Sequence, residues 1–215
     1  MSDHLTLEES IEPVTELAPS RSVYWRFARY VSIILSPSVV SLPVLLLVAL
    51  YHQRNLLTAL GYTALTILFL SVGPLLYIAI GVRKGYLSDM DVTRRSERLK
   101  PFLFGLSSAT LGLVMLIATN APRNLQNIML VTIVCGLIFM IITLWWKISI
   151  HASSLSGAVT FVVMLYGTQT LPLFSLVILV GWSRVVLRRH TLGQVIAGSV
   201  LGAALTTAIL LIRGV

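Results

Sequence analysis

The stretch that decides the fold is residues 171–212, which read LPLFSLVILVGW (171–182), SRVVLRRHTLGQ (183–194) and VIAGSVLGAALTTAILLI (195–212). The outer segments are almost entirely apolar. An apolar run of about 20 residues matches the hydrocarbon core of a bilayer, so the outer segments predict neighbouring transmembrane helices. The middle segment holds three arginines, a histidine and a glutamine, more polar groups than a short loop needs. The pattern therefore indicates a polar site at one end of a membrane bundle.

The composition extends this interpretation to the whole chain of 215 residues. Hydrophobic residues make up 56% and charged residues 11%, and the mean hydropathy is +0.90. These values exclude an ordinary soluble protein. The single cysteine, Cys135, excludes a disulfide framework or a cysteine metal site. A net charge of +8 in such a chain is typical of membrane topology and lipid headgroups rather than of nucleic-acid binding. The predicted fold is an all-α, polytopic transmembrane helical bundle of about six to seven spans.

Apolar segments of spanning length recur along the chain. We expect spans at about 30–50, 56–81, 101–119, 127–146, 150–167, 171–186 and 192–212. Pro37 and Pro43 should bend the first span. Gly198 and Gly202 form a G-x-x-x-G pattern in the last span, which predicts close helix packing within the chain.

Two regions are expected, a flexible acidic tail at 1–22 and a transmembrane helical domain at 23–215. Seven crossings would bring the polar stretches near 83–100, 147–151 and 183–190 to one side of the membrane. Thirteen of the sixteen lysines and arginines fall on that side. The positive-inside rule then makes it cytoplasmic, and the prediction is a multi-pass integral protein of the plasma membrane. The oligomeric state is left open.

The first polar cluster has the form S-R-x5-H-x3-Q, with Ser183, Arg184, His190 and Gln194. A guanidinium offers a fork of donors suited to phosphate oxygens. His190 and Gln194 are four residues apart, so at a helix start they share a face and can hydrogen-bond. A neutral imidazole held in this way beside arginines can attack phosphorus. The alternative is that the arginines are interface anchors and that Thr191 with Gln194 forms a capping box.

The second cluster is WWKISIHASSLSG, residues 145–157, in which Lys147 and His151 flank Ser149. A lysine and a histidine at the mouth of a membrane bundle are costly without partners, which favours a functional role. The alternative is a snorkelling lysine below two interfacial tryptophans, with His151 merely at the interface.

The third cluster is DMDVTRRSERLKP, residues 89–101. It holds four cations within seven positions: Arg94, Arg95, Arg98 and Lys100. The alternative here is a cytoplasmic loop that obeys the topology rule. If the three clusters form one site, His151, Arg184 and His190 should line one cavity, with Lys100 or Arg94 facing it.

Together these clusters resemble the type 2 phosphatidic acid phosphatase superfamily, over about residues 56–212. That family carries K-x6-R-P, then P-S-G-H, then S-R-x5-H-x3-D on one face of a helical bundle. The third motif matches in Ser183, Arg184 and His190, and the second matches in Ser149 and His151.

This sequence departs from the family pattern at several positions. Ile148 and Ile150 replace the proline and glycine of the second motif. In the first motif, Lys100 and Pro101 align with R-P, while Thr93 stands at the lysine position with Arg94 beside it. Gln194 stands where the family has the aspartate that orients the histidine.

The resemblance implies a metal-independent phosphatase without a cofactor. His190 corresponds to the nucleophile that forms a phosphohistidine, His151 to the general acid, and Gln194 to the residue that orients His190. Arg188 and Arg189 would add contacts outside the family pattern. The phosphate-binding set comprises Arg94, Lys100, Lys147, Ser149, Ser183 and Arg184.

The expected substrate is a phosphorylated or diphosphorylated lipid, of the isoprenoid (di)phosphate or phosphatidate type. Two alternatives stay open. An isoprenoid-diphosphate prenyltransferase or terpene cyclase would hold Mg²⁺ with carboxylate clusters, but Asp3, Asp89 and Asp91 are the only aspartates. A catalytically inactive lipid-binding relative would keep the fold without the chemistry.

Overall fold

A computed structural model of the protein describes residues 23–53 and 55–214; the predicted tail at 1–22 lies outside them. All regular secondary structure of these residues is helical. The α-helices are α1 (Val23–Ile34), α2 (Pro37–His52), α3 (Leu56–Ile67), α4 (Gly73–Arg83), α5 (Leu99–Ala118), α6 (Arg123–Thr143), α7 (Ile150–Tyr166), α8 (Phe174–Val186) and α9 (Leu192–Arg213). A π-helical turn, Leu68–Val72, joins α3 to α4, and 3₁₀ turns at Arg95–Glu97 and Thr168–Leu173 precede α5 and α8.

Helices long and apolar enough to cross a membrane dominate the described chain. Five segments meet this description: Leu56–Arg83, Arg95–Ala118, Arg123–Thr143, Thr168–Val186 and Leu192–Arg213. The bent pair α1–α2 is a sixth when its two helices are counted as one span. Helix α7, with 17 residues, is at the short limit for a span and would be the seventh. The predicted polytopic all-α bundle is confirmed.

The first span differs from the prediction of 30–50. The chain is helical from Val23, breaks between Ile34 and Pro37, and bends by 43°. Pro37 begins α2, where its missing N–H costs no helical hydrogen bond. Hydropathy missed α1 because that helix is amphipathic, with Arg26 and Arg29 among its aromatic residues.

Glycines bring α7 and α9 into close contact. A Cβ atom at Gly198 would lie 2.7 Å from the carbonyl oxygen of Ser149, and Gly202 faces the carbonyl of Ser153 in the same way. The Ser149 N–H also donates to the carbonyl of Gln194 at 3.3 Å. The predicted packing of the G-x-x-x-G pattern within the chain is therefore confirmed. The first turns of α7 and α9 are fixed beside each other.

Candidate functional site

Arg98 joins the second and third clusters. It is only 4% exposed, its Nε donates to the carbonyl of Val92 at 3.0 Å, and its Nη1 donates to the carbonyl of Ile148 at 3.3 Å. A buried guanidinium must find hydrogen-bond acceptors, and here both come from backbone in the polar loops. Arg98 therefore ties these loops together at one end of the bundle.

Arg184, near the end of α8, brings in the first cluster. It is 3% exposed, and its Nη1 donates to Asp91 Oδ2 at 3.0 Å and to Ser32 Oγ at 2.8 Å. Its buried Nε has no hydrogen-bond partner among the described residues. A buried charge is stabilised by a counter-charge, which Asp91 supplies. One donor of Arg184 is left for another ligand.

A tight turn after α8 folds the chain back onto Arg184. Arg188 adopts a positive φ of 52°, which is uncommon for a residue other than glycine. The backbone N–H groups of Arg189 and His190 both donate to the carbonyl of Arg184. The side chain of Arg189 then donates to Thr93 Oγ1 at 2.8 Å. The turn therefore places His190 next to the arginine and clamps the loop that carries Asp91.

His190 is held by Gln194. His190 is 8% exposed, and its Nδ1 lies 3.2 Å from Gln194 Oε1. An amide oxygen can only accept, so Nδ1 carries the proton and Nε2 keeps its lone pair when the ring is neutral. Burial, and then the charges of Arg184 and Arg98, lower the pKa of His190 to about 3. The ring is therefore neutral at physiological pH, with a free nucleophilic nitrogen.

The two predicted roles of Gln194 coincide. The same Oε1 accepts from the Thr191 N–H at 3.2 Å, while Thr191 Oγ1 accepts from the Gln194 N–H at 3.4 Å. These contacts form a complete capping box at the start of α9. Gln194 thus fixes the helix terminus and the imidazole together.

The predicted serines have structural partners. Ser149 Oγ caps α7 by accepting from the Ala152 N–H at 3.4 Å. Ser183 Oγ donates to the carbonyl of Val180 at 2.7 Å. Both serines are fully buried, and neither lines the cavity described below. Their role in phosphate binding stays a prediction.

The predicted lysines and Arg94 lie at the edge of the site. Lys100 is exposed, and Arg94 is exposed and pairs with Glu97 at 3.5 Å. Lys147 is half-buried; that burial, followed by repulsion from nearby arginines including Arg98, lowers its pKa. None of the three cations lines the cavity.

A cavity of about 880 Å³ opens among these groups. His151, Arg184 and His190 all line it, as expected, but Arg98 takes the place predicted for Lys100 or Arg94. Its polar end includes Asp91, Arg98, His151, Arg184, Arg188, Arg189 and His190, and Arg29 of α1 also lines the cavity. Five arginines and one carboxylate line the cavity, so its charge favours an anion.

The sequence did not identify Arg98 as a cavity residue, nor the ion pair between Asp91 and Arg184. For Arg98, however, the helical register could have indicated its position. From Arg98, the residue before α5, the cavity is lined by positions spaced as one helix face: Arg98, Pro101, Phe102, Gly105 and Leu106. Lys100 falls outside that register. The spacing of the motif aligns Lys100, next to Pro101, with the family arginine, but residue spacing alone does not specify which side chain faces the cavity.

Comparison with known proteins agrees with the resemblance. Residues 143–214 match the family model of the PAP2 superfamily, which confirms the resemblance over that part of the chain. The match covers His151, Arg184, His190 and Gln194, and leaves out the cluster that contains Arg98. The chain matches no curated protein and no solved structure. The family match supports a phosphatase-type activity.

Proposed function

We propose that this protein is an integral membrane phosphatase that hydrolyses a phosphorylated or diphosphorylated lipid through a phosphohistidine at His190. The observation that carries the proposal is the arrangement of His190. Gln194 holds its Nδ1 at 3.2 Å, and the ring lines one cavity with Arg184 and His151. A neutral imidazole oriented by its distal nitrogen is suited to nucleophilic attack.

The first chemical step forms a bond between His190 Nε2 and phosphorus and breaks the bond from phosphorus to the leaving oxygen. His151, in its protonated form, donates a proton to that oxygen, so the lipid product leaves as an alcohol, or as a monophosphate when the substrate is a diphosphate. The arginines of the polar end stabilise the negative charge on the equatorial oxygens of the transition state. The unpartnered Nε of Arg184 is one donor available for this purpose.

The second step returns the enzyme to its starting state. Neutral His151 removes a proton from a water molecule, whose oxygen attacks phosphorus while the bond to His190 Nε2 breaks. Inorganic phosphate leaves, and His190 is neutral again. Neither step requires an electron acceptor or a metal ion. The proposed enzyme is therefore metal-independent and without a cofactor.

Gln194 sets the rate of this chemistry. Attack places positive charge on the imidazole, and an aspartate at this position would stabilise that charge, whereas the amide of Gln194 supplies a dipole only. The site should therefore turn over more slowly than one with a carboxylate at this position.

The carboxylates of the described chain favour a phosphatase over a prenyltransferase or terpene cyclase. Among residues 23–53 and 55–214, no group of three or more histidine, cysteine, aspartate or glutamate side chains is placed to hold a metal ion. Asp91 is engaged with Arg184. A diphosphate-binding magnesium cluster of the usual carboxylate type finds few ligands here.

The lipid substrate is proposed from the position of the site. Its cationic end lies where the spanning helices meet the polar loops, at the level of a lipid headgroup. An isoprenoid (di)phosphate or a phosphatidate has an anionic head for this end and an apolar tail for the membrane. We propose that the site faces the cytoplasm, because most lysines and arginines are expected on that side, and that the membrane is the plasma membrane.

Release of inorganic phosphate tests the function directly. Purified protein in detergent is incubated with isoprenoid monophosphate, isoprenoid diphosphate and phosphatidate, each with and without EDTA. We expect release from at least one lipid, at a rate that EDTA leaves unchanged. Release that requires Mg²⁺ would contradict the metal-independent mechanism, and no release from any lipid phosphate would favour the inactive lipid-binding relative.

A further inference from the structure

The cavity continues from its polar end into the apolar interior of the bundle. Beyond the arginines its walls come from α2, α4, α5, α6, α7 and α9. Representative apolar residues of these walls are Val44, Ile78, Leu106, Val131 and Phe139. We name this apolar part the inner chamber.

Helical register gives the depth of the inner chamber. On α6 the lining positions form one face: Ile128, Val131, Thr132, Cys135, Gly136 and Phe139. From Ile128 to Phe139 the helix rises about 16 Å at about 1.5 Å per residue, roughly half the hydrocarbon thickness of a bilayer. The inner chamber is therefore long enough to hold a substantial length of an extended chain.

The volume and chemistry fit an amphiphile rather than a compact polar ligand. Ligand cavities of about 300–1,000 Å³ are mostly apolar, with a few polar groups that fix orientation, and this cavity, at about 880 Å³, is within that range. Arg98, Arg184, Arg188 and Arg189 gather at its polar end. A ligand that fills both parts must carry its negative charge at one end and hydrocarbon along the rest.

We propose that the inner chamber binds the hydrocarbon chain of the substrate, so that the chain lies inside the helical bundle while the phosphate meets Arg98 and Arg184. This inference rests on the proposed function, because it takes the anionic head to be a phosphate. Each methylene group in the chamber packs against protein side chains instead of against mobile bilayer or detergent chains. Chain length then becomes a determinant of affinity.

Gly105 offers a way to block the inner chamber without disturbing its walls. It lies on the lining face of α5, and a Cβ atom added there meets no atom within 4 Å. Gly105→Phe therefore projects a ring from the lining face. Gly61 is a matched control, since it lies in α3, outside the cavity lining, and an added Cβ also meets nothing within 4 Å.

Photo-crosslinking tests the inference with a ligand that needs no turnover. Purified full-length protein is illuminated with a long-chain alkyl phosphonate that carries a diazirine at the chain terminus, and labelled peptides are identified by mass spectrometry. We expect saturable labelling of lining residues on α2, α5 and α6. Gly105→Phe should reduce it by at least about tenfold, because the added ring excludes several methylene groups from the chamber. Gly61→Phe should label as the unaltered protein does.

Two results would overturn the inference. One is labelling confined to lipid-facing side chains such as Ile178 and Ile212, which are 76% and 83% exposed in the bundle. The other is the absence of saturable labelling. Because the phosphonate is not hydrolysed, the outcome is separate from that of the proposed function. If the chamber is labelled but the protein releases no phosphate, the proposed phosphatase activity is refuted, whereas binding of the hydrocarbon chain in the chamber is supported.

Discussion

Asp91 Oδ2 lies 3.0 Å from Nη1 of the buried Arg184, so a carboxylate of the protein already occupies the guanidinium that the phosphate is expected to meet. Burial alone would raise the pKa of Asp91, but the positive charge of Arg184, together with that of Arg189, holds it below its usual value. Asp91 is therefore ionised at neutral pH. A phosphate that enters the cavity must share Arg184 with this carboxylate or displace it.

Asp91→Asn should tighten the binding of anions. The amide keeps an acceptor for Arg184 but removes the charge that repels phosphate, so inhibition by orthovanadate should strengthen by at least about tenfold, or about 1.4 kcal/mol. The inhibition constant for phosphate release measures this effect. Glu97→Gln makes the same charge change beside the exposed Arg94 and should leave the constant unaltered. An unaltered or weaker constant in Asp91→Asn would show that the carboxylate does not compete with the anion.

Arg98→Ala should lower phosphate release far more than Lys100→Ala. Removal of one preorganised donor to a transition-state oxyanion typically lowers kcat by about 10²–10³-fold, and Arg98 lines the cavity whereas Lys100 does not. Since Arg98 also binds the carbonyl groups of Val92 and Ile148, Arg98→Lys is the control that keeps the charge. It should retain part of the rate. A larger loss of phosphate release in Lys100→Ala would show that Lys100, as the motif predicts, is the phosphate-binding residue.

The fold was more predictable than the site. Apolar runs of spanning length are a strong local signal, and five of the seven predicted spans correspond to long apolar helices of the described chain. Most of helix α1 lies outside the predicted spans, because its arginines lower the mean hydropathy of that segment. The contact between Asp91 and Arg184 joins residues 93 positions apart, which no local pattern specifies.

Substitutions of Gln194 should separate its two roles. Gln194→Leu removes both the acceptor for His190 and the capping contact with Thr191. Loss of the acceptor should slow phosphate release by about tenfold or more, since an unpaired buried polar group costs about 1–3 kcal/mol. Loss of the acceptor for the Thr191 N–H should lower the free energy of unfolding by about 1 kcal/mol. Thermal unfolding in detergent and phosphate release, measured on the same preparations, report the two effects.

Gln194→Glu and Gln194→Asp complete this series. Glutamate suits a capping box, so Gln194→Glu should unfold like the unaltered protein. Gln194→Asp introduces a negative charge beside the imidazole and should maintain or raise the turnover. If none of the three variants alters phosphate release, Gln194 serves only to cap α9.

The pH dependence of kcat/KM should reflect the lowered pKa of His190. Attack requires the neutral ring, and burial and the neighbouring arginines lower its pKa from 6.5 to about 3. His190 therefore contributes no acid limb to kcat/KM between about pH 5 and 8, the range in which an unperturbed histidine titrates. In Gln194→Asp the added negative charge raises the pKa of His190. The acid limb, which lies below about pH 5 in the unaltered protein, should therefore move to higher pH in this variant. An acid limb near 6.5 in the unaltered protein that stays in place in the variant would show that another group controls it.

Trapping of the covalent intermediate tests the central claim most directly. Purified protein is mixed with a lipid phosphate that it hydrolyses, quenched rapidly at alkaline pH, where phosphohistidine persists, and digested for mass spectrometry. The mechanism predicts a phosphoryl group on the peptide that contains His190, localised to that residue. His190→Ala should show neither the adduct nor phosphate release, with thermal unfolding unaltered. A phosphoryl group on another side chain, or release that persists in His190→Ala, would contradict the mechanism.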